Sequence, residues 1–283
     1  MTATLCSGTR QHSTIRCLEN CETVIIRCTR RARRGKRHRP DVVAFEFDLE
    51  RNLLGLREEL LTQSYLPGPY RAFHIRDPKP RLISAAAYRD RVVHHAICRV
   101  IEPVFEPIFI HDCYANRVGK GTHKALDRCT HFGRRYRYVL KCDIATYFPS
   151  IDHEILLGLL ARKIKCRPTL GLLSVIVDAS NPQDGMARYF AGDDLFTPHS
   201  RRRGIPIGNL TSQMFGNVYL GGLDHHVKEG LKVQGYLRFV DDFLLFSDDR
   251  AELVALLPRL QTYLDGLRLR LHPRKCQVIP TCC

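Results

Sequence analysis

No stretch of this 283-residue chain approaches the roughly 20 consecutive apolar residues that a membrane-spanning helix requires. The opening Met1-Thr-Ala-Thr-Leu-Cys6 has neither the basic start nor the apolar run of a secretory signal, so a soluble, cytoplasmic protein is expected. Twelve cysteines are present, yet none form a Cys-x-x-Cys pair. Cys6, Cys17, Cys21 and Cys28 are too irregularly spaced for a zinc site, and free thiols are expected. Other signatures also fail. Gly119-Lys-Gly-Thr122 lacks the phosphate-loop spacing, His153-Glu154 lacks the second histidine of a zinc protease, and no Gly-x-Ser-x-Gly occurs. His94-His95 and His225-His226 read as packing or helix-surface residues rather than ligands.

Acids are scarce: 29 against 44 basic residues, giving a net charge of +15 and a pI near 9.5. The excess points to a polyanionic partner, most simply nucleic acid. Clustering strengthens that reading, because Arg27 to Arg39 carries eight Lys or Arg and no acid. Arg134, Arg135, Arg137 and Lys141 form a second group, and Arg201-Arg202-Arg203 a third.

Hydrophobic residues make up 44% of the chain, enough for a globular core. Residues 1–40 read as a basic arm closed by Pro40, with folded sequence from about Asp41. Leu53, Leu56, Leu60 and Leu61 have helical spacing within 46–61, and Val92, Val93, Ile97, Val100 and Ile101 within 89–105. Residues 70–75 and 80–84 are compatible with an antiparallel pair around Asp77-Pro78. Tyr138 to Ile144 reads as a strand, 152–164 as a helix capped by Asp152, 179–200 as a loop and 211–228 as a helix. Asp248 or Asp249 caps a helix running to about Leu267. Helices and hairpins alternate without βαβ spacing, so an α+β fold with an antiparallel sheet is expected.

The chemistry is concentrated at Asp241-Asp242. Tyr236-Leu-Arg-Phe-Val240 and Phe243-Leu-Leu-Phe246 read as two short apolar strands, so the acids occupy a hairpin tip. Adjacent ionised carboxylates in apolar surroundings repel unless a cation compensates, and a divalent metal is the simplest compensator. Asp193-Asp194 and Asp248-Asp249 are explained by local backbone capping; Asp241-Asp242 has no such explanation. Asp143, at the end of Val139-Leu-Lys-Cys-Asp143, is the best candidate for a further metal-binding acid, brought opposite the tip by strand pairing. Two metals roughly 3.5–4 Å apart between such acids would serve phosphoryl transfer.

These residues resemble a known family. Phe239-Val-Asp-Asp242 resembles the aromatic-x-Asp-Asp box of reverse transcriptases, and Lys141-Cys-Asp-Ile-Ala-Thr-Tyr-Phe-Pro-Ser-Ile-Asp-His153 their first carboxylate motif. Arg203-Gly-Ile-Pro-Ile-Gly-Asn-Leu-Thr-Ser-Gln213 is similar to their Pro-Gln-Gly-like loop. Pro80-Arg-Leu-Ile-Ser84 with Arg89-Asp-Arg-Val-Val-His94, and Leu271-His-Pro-Arg-Lys275, match the flanking motifs. The order holds from about residue 41 to the end. The string Ile207-Gly-Asn-Leu-Thr-Ser-Gln213 most resembles the enzymes of diversity-generating retroelements, which copy a template RNA error-pronely at adenines with an accessory protein.

The resemblance implies a right-hand polymerase: fingers over 41–138, palm over 139–283 with a finger insertion at about 157–200, and the thumb largely absent. It implies RNA-directed DNA polymerase activity, with template RNA, primer and cDNA, deoxynucleotides and a small basic accessory protein as partners, and no membrane. Asp143 and Asp241 would hold two Mg²⁺ ions and Asp242 would assist, oxygen ligands suiting that ion. Arg76, Lys79 and Arg81 would meet the triphosphate, Phe148 would exclude a 2′-hydroxyl, and Ile144, Ile207 and Gly208 would line the nucleotide pocket. Lys275 would face the phosphates or donate a proton to pyrophosphate. The alternatives are a group II intron, retron or phage-defence reverse transcriptase, or a non-catalytic RNA-binding protein on the same fold.

Overall fold

In the computed structural model, residues 22–76, 81–180 and 188–281 are described. Two compact units emerge: 1–104 with 157–181 and 207–211, and 105–156 with 182–206 and 212–283. The boundary at 104/105 falls inside the 41–138 segment, and 105–138 clusters with the second unit.

The first unit opens with a helix, Glu22–Ala32, where a bare basic arm is expected. Ile25, Cys28, Thr29 and Ala32 line one helical face and are buried, so burial of that face outweighs the dense charge on the other. Arg33 is likewise structural: Nη1 donates to both Glu46 oxygens at 3.0 and 3.1 Å. The helix expected over 46–61 is Leu49–Leu61, and a further helix, Pro40–Phe47, precedes it with a break at Asp48 (φ −122, ψ 56). β1 (Arg71–Ile75) and β2 (Arg81–Ala85) form the expected antiparallel pair. The helix Tyr88–Phe105 buries Val92, Val93, Ile97 and Ile101, with Val100 only half-buried. The helix Arg167–Asp178 covers ground that the sequence leaves unassigned.

The second unit is built on one four-stranded antiparallel sheet of order β4-β5-β3-β6: β3 Tyr138–Cys142, β4 Gly235–Phe239, β5 Asp242–Ser247 and β6 Gln277–Pro280. Strand alternation sorts its side chains. Leu140, Cys142, Tyr236, Arg238, Phe243 and Leu245 are all buried and share one face. On the other face, Val139, Leu237 and Phe246 pack with Ala125 and Phe132 of the helix Thr122–Arg135, which the sequence reading misses. The helix Arg250–Gly266 is capped by Asp249, whose Oδ1 accepts from Ala251 N at 2.8 Å. Asp152 caps His153–Lys163 as expected, accepting from Ile155 N at 3.2 Å. The helix predicted over 211–228 runs as α from Leu210 to His225 and finishes in a π turn, His226–Gly230.

No helix among the described residues is long and apolar enough to cross a membrane. Of the tempting zinc set, Cys28 is buried, and Cys6, Cys17 and Cys21 lie outside the described residues.

Candidate active site

The β4–β5 connection is a two-residue turn, since Phe239 pairs with Asp242 and leaves only Val240 and Asp241 outside the ladder. Asp241 is thus the tip residue and half-buried, while Asp242 begins β5 and is exposed. β3 pairs with β5 through Cys142↔Phe243. Asp143 follows Cys142 and Asp242 precedes Phe243, so the register brings the two acids to the same end of the sheet. The spacing in sequence hides this, but the central position of β3 enforces it.

Strain marks both sides of the acids. Val240 has φ +60 and Thr146 φ +46, left-handed values that β-branched residues rarely adopt. Such conformations persist only where surrounding contacts fix them, and they concentrate at functional sites. For Val240 the fixing contact is Arg238, whose Nη1 donates to Val240 O at 2.9 Å. Arg238 is itself held by Asp224 through two 2.7 Å bonds, and Tyr236 Oη donates to the same carboxylate at 2.7 Å. For Thr146 it is Arg188, which donates to Ser150 Oγ at 2.6 Å and to the Thr146 hydroxyl. The sequence reading misses both arginines. Their partners are distant in the chain, and no local pattern announces them.

The Leu271-His-Pro-Arg-Lys275 segment lies along the end of β3. Ala145 N donates to Arg270 O at 2.9 Å and His272 N to Asp143 O at 2.8 Å. Lys275 is thereby delivered to Asp143, with which its ammonium forms an ion pair. That hydrogen bond raises the Lys275 pKa above the ordinary lysine value, partly offset by desolvation, with the charges of Asp143, Asp242 and Asp241 adding to the rise. All three carboxylates therefore act on one cation. Next to it, interaction with the Cys142 thiol lowers the Cys276 thiol to about 6 against the desolvation that raises it, while the same interaction and burial push the Cys142 thiol far up.

A divalent ion finds hard oxygen donors here, and three carboxylates beside one ammonium leave local negative charge to be neutralised. Among the described residues no three His, Cys, Asp or Glu side chains already stand in a metal-chelating group. Asp143 instead faces Lys275.

Other predicted residues fall as follows. Ile144 is buried, bridged to Leu271, so only its backbone can face a ligand. Phe148 is half-buried against Tyr147, with ring centroids 5.3 Å apart, and its carbonyl accepts from Ile205 N at 3.0 Å. In the first unit, Arg76 is exposed just past β1. Lys79 and the side chain of Arg81 lie outside the described residues. Ile207 and Gly208 are held beside β2, Ser84 N donating to Ile207 O at 3.2 Å. Gly208 has φ +113, a left-handed value that favours glycine, and a Cβ there would sit 3.1 Å from Ile83 Cγ2, a tight approach. The Arg201-Arg202-Arg203 cluster is not simply an anion surface, because Arg201 is ion-paired with Asp193 and lies 3.5 Å from Asp152.

The fold is similar to that of a solved telomerase. Apo telomerase from Candida tropicalis, truncated from its C-terminal domain, superimposes with a TM-score of 0.55 at 12% identity, covering 77% of this chain and 50% of that one. The sequence then gives the family: residues 75–283 match reverse transcriptase (RNA-dependent DNA polymerase), and the chain belongs to it. Protein YkfC of Escherichia coli K12 is 26% identical across 79% of this chain, and the group II intron-encoded protein LtrA of Lactococcus lactis is 25% identical across 63%. The matched regions span 66% of YkfC and 28% of LtrA.

Proposed function

We propose that this chain carries the nucleotidyl-transfer centre of an RNA-directed DNA polymerase. The observation that carries this reading is the placement of Asp143 at the end of β3, ion-paired with Lys275, beside the β4–β5 turn that carries Asp241 and Asp242. Asp143 and Asp241 hold the divalent ions, Mg²⁺ being the ion their oxygens suit, and Asp242 contributes charge from the neighbouring ladder position. When bound, the metal supplies charge stabilisation for the attacking and leaving oxygens. Lys275 faces phosphate oxygens, having exchanged Asp143 for the substrate. Phe148 presents a ring edge to the sugar and excludes a 2′-hydroxyl by bulk. Arg76, Lys79 and Arg81 meet the triphosphate, and Ile144, Ile207 and Gly208 line the base side. In this assignment residues 41–138 supply the fingers and 139–283 the palm, with a finger insertion at about 157–200. The partners are template RNA, primer and deoxynucleotides.

The finer reading is the error-prone enzyme of a diversity-generating retroelement, bacterial or phage-encoded and cytoplasmic, working with a small basic accessory protein. The loop string Ile207-Gly-Asn-Leu-Thr-Ser-Gln213 supports it. A group II intron enzyme is the competing reading, supported by the likeness to LtrA. Primer extension on an RNA template tests the core claim. Mg²⁺-dependent extension that disappears in Asp241→Ala is expected, while RNA binding without extension by the full-length protein would favour a non-catalytic role. Sequencing the products separates the finer readings, since only the retroelement enzyme concentrates its errors at adenines.

A further inference from the structure

Cys142 and Cys276 bracket the Asp143–Lys275 ion pair. Cys142 immediately precedes Asp143, and Cys276 immediately follows Lys275. The β3–β6 ladder pairs Tyr138 with Pro280 through Lys141 with Gln277, and Cys142 and Cys276 are the next residues on the two strands. The class of that pair follows from its neighbours. Thr281 N donates to Arg137 O at 2.9 Å, so 137/281 is a hydrogen-bonded pair. Strict alternation then makes 138/280 and 140/278 non-hydrogen-bonded, with Pro280, which has no N–H, on the matching class, and Cys142 and Cys276 lie two residues beyond 140/278 in the same phase. Facing Cα atoms in such a pair stand about 4.5 Å apart, inside the roughly 4.4–6.8 Å span that a disulfide bridges. Cys276 Sγ donates to Asp143 O at 3.8 Å, which holds it against the carbonyl of the residue that follows Cys142. Cys142 is fully buried, whereas Cys276 is half-buried, so a reagent reaches the pair through Cys276. Cys28 and Cys98, by contrast, are both almost wholly buried.

We propose that Cys142 and Cys276 form a redox modification site, closing to a reversible cross-strand disulfide on reaction with a low-molecular-weight disulfide. In the first step the Cys276 thiolate attacks one sulfur of the reagent, forming a mixed disulfide and expelling one small thiolate. The Cys142 thiolate then attacks the Cys276 sulfur, forming the protein disulfide and expelling the second small thiolate. The two cysteine protons end on the two released thiols. The protein loses two electrons and the reagent gains them. Closure ties the residue before Asp143 to the residue after Lys275, holding the ammonium on the carboxylate that a divalent ion needs. Oxidation therefore turns the centre off. This last consequence rests on the function proposed above; the bond itself does not.

The test uses the full chain, reduced and then equilibrated in buffers of oxidised and reduced glutathione, with free thiols trapped by alkylation. Peptide mapping is expected to show a Cys142–Cys276 cross-linked peptide that rises with the oxidised fraction and disappears on reduction. Extension should fall at least tenfold in parallel and recover with dithiothreitol. Cys276→Ser, and separately Cys142→Ala, should give neither the peptide nor the loss of extension. Glutathione retained on Cys276 without the cross-link would overturn the site. A complete cross-link with undiminished extension would overturn the switch. Should the reduced chain not extend at all, the function assignment fails, while the peptide map still decides the bond.

Discussion

Arg238 and Asp224 meet as a bidentate ion pair, Nε to Oδ1 and Nη2 to Oδ2 both at 2.7 Å, with neither side chain exposed to solvent. The guanidinium also reaches Val240 O at 2.9 Å and Asn217 Oδ1 at 3.3 Å. It thus connects a helix, a strand and the turn that presents Asp241. A charge this deeply buried is tolerable only while its partner remains.

Removing that partner gives the first prediction. Asp224→Ala leaves the Arg238 cation unpaired and Tyr236 Oη without its acceptor, at a cost of about 3–5 kcal/mol. Urea unfolding of the variant against the parent measures this directly. A cost below 1 kcal/mol would mean that water or another acceptor replaces Asp224.

The turn gives the second. A β-branched residue at left-handed φ is strained by about 1–2 kcal/mol, and glycine relieves this while losing some unfolded-state entropy. Val240→Gly is expected to raise stability by up to about 1 kcal/mol and to lower extension, because the tip carboxylate is less firmly aimed. Chemical denaturation and steady-state extension on the same preparations separate the two effects. Lower stability in the glycine variant would show that the valine side chain's packing outweighs its strain.

The Ile207 position gives the third. A branched alkyl offers no hydrogen bond near an incoming nucleotide, and one ordinary bond is worth about 1 kcal/mol, a factor of roughly five. Ile207→Gln should improve discrimination at template adenines by about that factor in single-nucleotide incorporation kinetics, with little change at other bases. Equal misincorporation in both proteins would remove Ile207 from the account of fidelity.

His94 gives the fourth. It is 1% exposed, neither ring nitrogen finds a hydrogen-bond partner among the described residues, and burial lowers its pKa to about 4. The unfolded chain takes up a proton near pH 6.5 that the folded chain refuses until about pH 4. Stability therefore falls as pH drops through that window, by on the order of 3 kcal/mol, and is fully present above it. His94→Leu should flatten the urea-derived stability profile between about pH 7 and 4.5. A profile as steep as the parent's would assign the acid sensitivity to other groups.

The hairpin and its acids are legible in the sequence because two charges interrupt an otherwise apolar run, a conflict visible within ten residues. Asp152 and Asp249 are legible as caps for the same local reason. The helix Thr122–Arg135 goes unread although Ala125, Cys129 and Phe132 recur at helical spacing, since His123, Lys124, Asp127 and Arg128 crowd the pattern with charge. The helix Glu22–Ala32 hides behind arginines in the same way. What the sequence cannot display is pairing at a distance. Arg238 with Asp224, Lys275 with Asp143 and Cys142 with Cys276 exist only once strand order and register are fixed.

Strand order has a consequence for how the chain comes into being. β3 lies between β5 and β6, both of which are made long after it, with Asp241 following Asp143 by 98 residues. At about 5–20 residues per second, the ribosome leaves this apolar segment without either neighbour for roughly 5 to 20 seconds. During that interval the nascent protein depends on whatever shields a lone sticky ribbon, and slowed translation across 143–242 would deepen its need for a chaperone.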